Sequence, residues 1–98
     1  MLNSVILEGV MTAGLTMDGR FIVETSCLEG GEKTKINALC RLSPTLNSNE
    51  STREVFRSGT IFQCWGHLGK INGELGVCVE HFEKRGVRFG KYIFTNKD

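Results

Sequence analysis

Asn72-Gly73, set between two runs of alternating apolar residues, is the feature that most restricts what this chain can become. A two-residue type I′ turn needs positive φ at both central positions, and Asn-Gly is among the pairs that accept it most readily. With that turn in place, Leu68 faces Val77, His67 faces Cys78 and Cys64 faces His81. One face of the expected hairpin carries Phe62, Cys64, Leu68, Val77 and Val79 and has the character of a core. The other carries Gln63, Trp65, His67, Glu80 and Phe82. Trp65, the one tryptophan of the chain, then lies diagonal to Phe82 and within aromatic reach of it.

Alternation with period 2, the mark of a strand with one buried face, recurs upstream. Asn3–Gly9 reads as a first strand, with Val5 and Leu7 on one face, and Met11–Gly19 as the connection that follows it. Arg20–Leu28 sets Phe21, Val23, Thr25 and Cys27 against Ile22, Glu24, Ser26 and Leu28. A flexible polar loop at Gly30-Gly31 leads to a third strand, Lys35–Leu42, which has a polar side. Ser43-Pro44 ends it, because proline has no N–H for a ladder. Ser51-Thr52-Arg53-Glu54 fits a capping box, which predicts a helix of about two turns that buries Val55 and Phe56 and closes at Gly59. The hairpin strands come next. Residues 85–98 alternate more weakly, as a basic-aromatic tail used for assembly or as an extra strand. Three strands, a short helix and two strands make an all-β fold of one domain, residues 1–84. This is the element order of a five-stranded OB-fold barrel, whose strand 2–3 face and end loops bind oligonucleotides in many proteins.

Length agrees with that reading, since 98 residues suit one domain with a single modest core. Val5-Ile6-Leu7 is typical of the apolar runs, whereas a membrane helix needs about 18 such residues. The N-terminus lacks the basic start and long apolar stretch of a signal peptide, so a cytoplasmic location is expected and no membrane. Four cysteines, at positions 27, 40, 64 and 78, are then expected as free, small apolar residues rather than as two disulfides. Net charge is only +1, which does not declare a strongly basic binder. Its distribution says more. Residues 1–32 hold one Arg against five acids, while residues 84–98 hold five Lys or Arg against one, an asymmetry that permits a basic face.

Asn3-Ser4-Val5-Ile6-Leu7-Glu8-Gly9 resembles the first strand of the bacterial single-stranded DNA-binding protein family, which begins with Asn, runs through Val-Ile-Leu and ends at Gly. Val55-Phe56-Arg57-Ser58-Gly59-Thr60 is similar to the end of that family's helix, and Phe62-Gln63-Cys64-Trp65-Gly66 to its fourth strand. The likeness spans roughly residues 2–83. It implies a short, divergent member without the acidic C-terminal tail, and a small viral, plasmid or primosome-type relative fits the same pattern. Family members stack bases on aromatics of strands two and three, where this chain offers Leu28, Lys35, Asn37 and Arg41.

Several groups of residues are candidates for function. Trp65 and Phe82 form either a base-stacking platform or an oligomer interface, since exposed rings suit both. Lys33, Lys35, Asn37 and Arg41 are placed to follow phosphates along the strand 2–3 face. Their plainer reading is a solvated strand face. Arg85 and Arg88, with Lys91, interleave with Phe89 and Tyr92 in a pairing of charge and rings that suits single strands. Cys64-x2-His67 and Cys78-x2-His81 have zinc-like spacing. Residues i and i+3 of a strand point to opposite faces, however, so the four cannot converge on one tetrahedral metal. No metal or other cofactor is expected, and no catalytic set stands out. The expectation is therefore a non-enzymatic protein that binds single-stranded DNA, with RNA as the variant, irrespective of sequence. It would act in replication, recombination or repair as a homodimer or homotetramer. The alternative is an OB-fold interaction or assembly subunit without nucleic-acid affinity.

Overall fold

Two hairpins fold as their turn residues dictate. In the computed structural model, which describes residues 2–95, Asn72 and Gly73 have φ of 52° and 83°. Gly30 and Gly31 have φ of 56° and 85°. The second pair is thus a tight turn rather than a flexible loop, and the strands run right up to it. β1 (Val5–Ala13), β2 (Arg20–Glu29) and β3 (Glu32–Leu42) precede two short helices, α1 (Pro44–Asn47) and α2 (Glu50–Val55). β4 (Thr60–Ile71), β5 (Glu74–Phe89) and β6 (Tyr92–Thr95) follow.

The sheet runs β3-β2-β1-β4-β5-β6, and β3 also pairs with β5 in parallel, matching Cys40 with Val77 and Leu42 with Val79. That pairing closes the first five strands on themselves. The result is a five-stranded OB-fold barrel, with β6 added on the free edge of β5. Of the two forms open to the C-terminal segment, residues 92–95 form a strand; residues 96–98 lie outside the described residues.

The interior is built from the alternating positions. Met11, Phe21, Val23, Cys40, Leu42, Phe62, Cys64, Val77 and Val79 are buried and touch one another. Phe56, the C-cap of α2, plugs this barrel. Its ring stacks on Phe62 (centroids 4.2 Å apart, planes at 13°) and meets Phe21 at 5.0 Å and Phe82 at 4.7 Å. Rings at these separations add to the stabilisation from area burial.

Four further expectations are corrected. The first strand does not end at Gly9 but continues to Ala13 through a bulge between Met11 and Ala13. Asn3 lies before it and bonds β4 with its side chain alone: Leu68 N–H donates to Oδ1 (2.8 Å), and Nδ2 donates to the Leu68 carbonyl (2.9 Å). The Ser51 capping box does not form, because Asn49 caps α2 two residues earlier, its Oδ1 accepting from Thr52 N–H at 3.1 Å. Gly59 (φ 91°) follows α2 at a distance and joins two strands, donating to Met11 O (2.8 Å) and accepting from Arg88 N–H (2.7 Å).

The fourth correction matters most. The Asn72-Gly73 register holds from Leu68 with Val77 through Gly66 with Val79, then slips by one residue between Gly66 and Trp65. Gly66 pairs with Val79 and Trp65 with His81, so Glu80 is the extra residue of a bulge. Cys64 therefore faces Phe82, not His81, and Phe82 packs against the core instead of standing beside Trp65. Position 66 has to be glycine, since a Cβ there would lie 1.8 Å from the Cys78 carbonyl oxygen.

Candidate nucleic-acid interface

Residues expected to contact a ligand come from three places on the barrel. The first is the outer face of the β2–β3 hairpin. Antiparallel pairing sets Lys33 opposite Leu28, Lys35 opposite Ser26, Asn37 opposite Glu24 and Arg41 opposite Arg20, all on one side. Because β3 joins β5 only from Cys40 onward, residues 32–37 project beyond the closed barrel, and all of them are exposed. Lys33 and Lys35 thus stand on a ribbon open to solvent.

Arg41, at the closed end, is held differently. Its guanidinium bonds Asp18 at 3.1 Å, and Arg20 bonds the same carboxylate at 3.0 Å. Hydrogen bonds from the Thr16 hydroxyl, then Arg20 and Arg41, hold the Asp18 carboxyl well below the usual carboxylate range. Asp18 also keeps Arg41 close to the barrel.

The second place is the outer face of β1, β4 and β5 around Trp65. This ring is half-buried between Ile6 of β1 and His81 of β5, with the imidazole centroid 5.0 Å away. Trp65 and Phe82 are not brought together, and His81 takes the place Phe82 was expected to fill. Arg85 lies on the same wall, donating to Gln63 and pairing with Glu83 at 3.0 Å and Glu8 at 4.0 Å. Arg88 pairs with Glu24 at 2.9 Å, and Lys35 reaches that same carboxylate at 4.0 Å. Most cations of the barrel wall are therefore matched by acids. Sequence proximity foretold none of the longer pairs, since Arg41 and Asp18 are 23 positions apart and Arg88 and Glu24 are 64 apart.

His67 and Cys78 face each other outward, and the His67 ring contacts Glu80. Cys64 turns inward. Among the described residues no cluster of three or more Cys, His, Asp or Glu is arranged to hold a metal. All four cysteines are free thiols, with burial pushing the Cys40 and Cys64 thiols up to about 12. Among the described residues no helix is long and apolar enough to cross a membrane.

The third place is the β5–β6 hairpin, which carries rings that sequence reasoning noted only in part. Phe94 is the addition. Its signal was the alternation Val87, Phe89 and Tyr92, Phe94 on either side of Gly90-Lys91, a turn opened by φ of 58° at Gly90.

These features define an OB-fold barrel extended by a sixth strand. No protein-family model matches the chain, and no curated protein matches it in sequence. Solved structures do share its fold. PriB from Ralstonia solanacearum superposes with a TM-score of 0.64 at 15% identity, covering 86% of this chain and 99% of that one. A second structure of PriB from the same organism gives 0.64 at 14% identity, covering 86% and 98%. The S. pombe Stn1–Ten1 complex gives 0.58 at 13% identity, over 85% of this chain and 58% of that one. At such identities the likeness defines the barrel and nothing finer.

Proposed function

We propose that this protein binds single-stranded nucleic acid, DNA in the first place, without reading its sequence. The observation that carries the proposal is the projecting β2–β3 ribbon, whose outer side holds Lys33, Lys35 and Asn37 in an exposed row, with Lys35 at 4.0 Å from Glu24. OB-folds bind oligonucleotides on this face. Cations there attract phosphates, and an aromatic neighbour accepts a base with little regard to its identity. Trp65, with His81 against it, is such a neighbour on the adjoining wall. The protein acts as a passive holder in replication, recombination or repair, in the cytoplasm, as a homodimer or homotetramer and without catalysing a reaction.

A specific observation favours a second reading, that of an assembly subunit without affinity for nucleic acid. Arg41, Arg85 and Arg88 are already engaged by Asp18, Glu83 and Glu24. A polarisation titration with fluorescent oligo(dT), run beside Trp65 fluorescence, separates the two. Single-strand binding predicts quenching of Trp65 and an affinity that falls steeply with salt. It also predicts a loss of about 1–3 kcal/mol in Trp65→Ala, the usual cost of removing one stacking partner. Absence of binding at low salt, together with dissociation of the Trp65→Ala protein in sedimentation, establishes the assembly reading instead.

A further inference from the structure

The β5–β6 arm gathers four large exposed apolar side chains, Phe89, Tyr92, Ile93 and Phe94, on one hairpin, and its geometry is ordered. Pairing of Val87 with Phe94 and Phe89 with Tyr92 puts all four side chains on one face. Phe89, Tyr92 and Phe94 remain 67%, 70% and 58% exposed. Phe89 and Phe94 meet with their centroids 6.2 Å apart. Three exposed rings on one face of so small a domain mark a contact surface rather than chance exposure.

The arm is also held in place. Arg88 N–H donates to Gly59 O at 2.7 Å at its root. A Cβ on Gly86 would come within 2.0 Å of the Phe94 carbonyl oxygen, so only glycine lets β6 lie this close. The rings are therefore presented in advance, which lowers the ordering cost of any ligand that uses them.

Charge selects the ligand. Residues 84–95 contain Lys84, Arg85, Arg88 and Lys91 and no acid. Arg88, on the reverse side of the arm, is taken up by Glu24. Among the described residues Arg57 and Lys91 form no ion pair. Lys91 sits in the arm's turn. Arg57 lines a groove of about 640 Å³ that runs from the end of α2 to Val87 and Phe89, with Lys84 also in its wall and Glu54 the one acid there. A second copy of the chain docking ring to ring would bring two acid-free cationic segments together. A single strand offers π-faces for the rings and phosphates for the cations at once.

We propose that the β5–β6 arm is a base-stacking platform for single-stranded nucleic acid, in which Phe89, Tyr92 and Phe94 receive bases while Arg57 and Lys91 hold neighbouring phosphates. The inference rests on the reading of the protein as a single-strand binder and adds a contact surface that the β2–β3 ribbon and Trp65 do not supply. Stacking on each ring contributes by the same mechanism, and its loss weakens binding roughly 5- to 150-fold.

The test uses the full chain with two probes, oligo(dT) and an abasic strand of equal length that keeps the phosphates and lacks the bases. Tyr92→Ala and Phe94→Ala, exposed enough to leave the circular dichroism spectrum unchanged, should lose affinity for oligo(dT) by that factor. They should bind the abasic strand within about twofold of wild type. Arg57→Ala should weaken binding to both probes, because its partner is phosphate. Phe94→Leu keeps apolar bulk but has no π-face, so it should resemble Phe94→Ala on oligo(dT). Oligo(dT) binding unchanged in the ring variants, with Trp65→Ala still impaired, overturns the platform and leaves single-strand binding intact. Ring variants that keep oligo(dT) affinity but fall apart in sedimentation, with Phe94→Leu restoring assembly, overturn it in favour of a subunit interface. Wild-type protein that binds neither probe at low salt removes both this proposal and the reading beneath it.

Discussion

On the barrel wall Arg20, Arg41, Arg85 and Arg88 are held by carboxylates, whereas Arg57 and Lys91, beside the β5–β6 arm, form no ion pair among the described residues. On the wall, Arg41 and Arg20 share Asp18, Arg88 and Lys35 share Glu24, and Arg85 reaches Glu83 and Glu8. The aromatic side chains divide the other way. Phe21, Phe56 and Phe62 are spent on the barrel core, while the rings of the arm face solvent. A surface whose charges are already satisfied gains little from a polyanion, since each pair must first be broken. A surface with open rings, and with cations outside any ion pair (Arg57 only donates to the Glu54 carbonyl, at 3.0 Å), keeps that capacity. Residue type is thus a poor guide to function until the partners of each residue are known.

The largest expected contrast lies in stability. Phe56→Ala should cost about 3–5 kcal/mol in urea unfolding, because a fully packed ring is removed and a cavity is left. Phe94→Ala should change stability by less than about 0.5 kcal/mol, the usual range at exposed positions. If the two variants unfolded alike, the division between structural rings and ligand-facing rings would collapse.

Releasing a held cation should sharpen the contrast in charge. Glu24→Gln frees both Arg88 and Lys35 while giving up surface pairs worth no more than about 1 kcal/mol. Single-strand affinity should rise at low salt. The slope of log K against log salt should steepen by about 0.7 for each cation that reaches a phosphate. Asp18→Asn should act similarly through Arg41. Affinity unchanged in both variants would show that ion pairing is not what silences the wall.

The Asp18 carboxyl gives the comparison an acid limb. Its proton affinity is lowered in the folded protein, so its stabilisation is present above the ordinary carboxylate value of 3.8 and is lost as pH falls below it. Acid unfolding followed by circular dichroism should lose this component in Asp18→Asn.

The smallest effect concerns the thiols. Cys40 and Cys64, raised by burial from 9.0 to about 12, should react slowly with a disulfide reagent in the native state, while half-exposed Cys27 and Cys78 react first. The sign for stability follows: the unfolded chain ionises first, so stability present below pH 9 is lost between pH 9 and 12. Four equally fast thiols would mean that the barrel opens readily.

Much of the barrel was legible in local chemistry. Period-2 alternation located β2 and β3 to within a few residues, and Asn72-Gly73 located the β4–β5 turn, because strand faces and turn dihedrals are properties of a few neighbouring residues. The order of the elements carried the fold class. Nothing local marked the slip beside Gly66, where the Cys78 carbonyl of the other strand comes too close for any Cβ. That one-residue shift moved Phe82 from beside Trp65 to the core, as any register change must in a structure of period 2. Nor does a helix cap follow from residue type alone where Asn49 and Ser51 both qualify. Alternation marks Lys35, Asn37 and Trp65 as outward-facing, while Lys33 falls in the preceding polar loop and joins that row only because β3 begins at Glu32; the engagement of Arg41, Arg85 and Arg88 has no local sign. A sequence states how many charges a chain carries; only the folded barrel, by closing distances of 23 and 64 residues, decides which of them Asp18 and Glu24 have already taken.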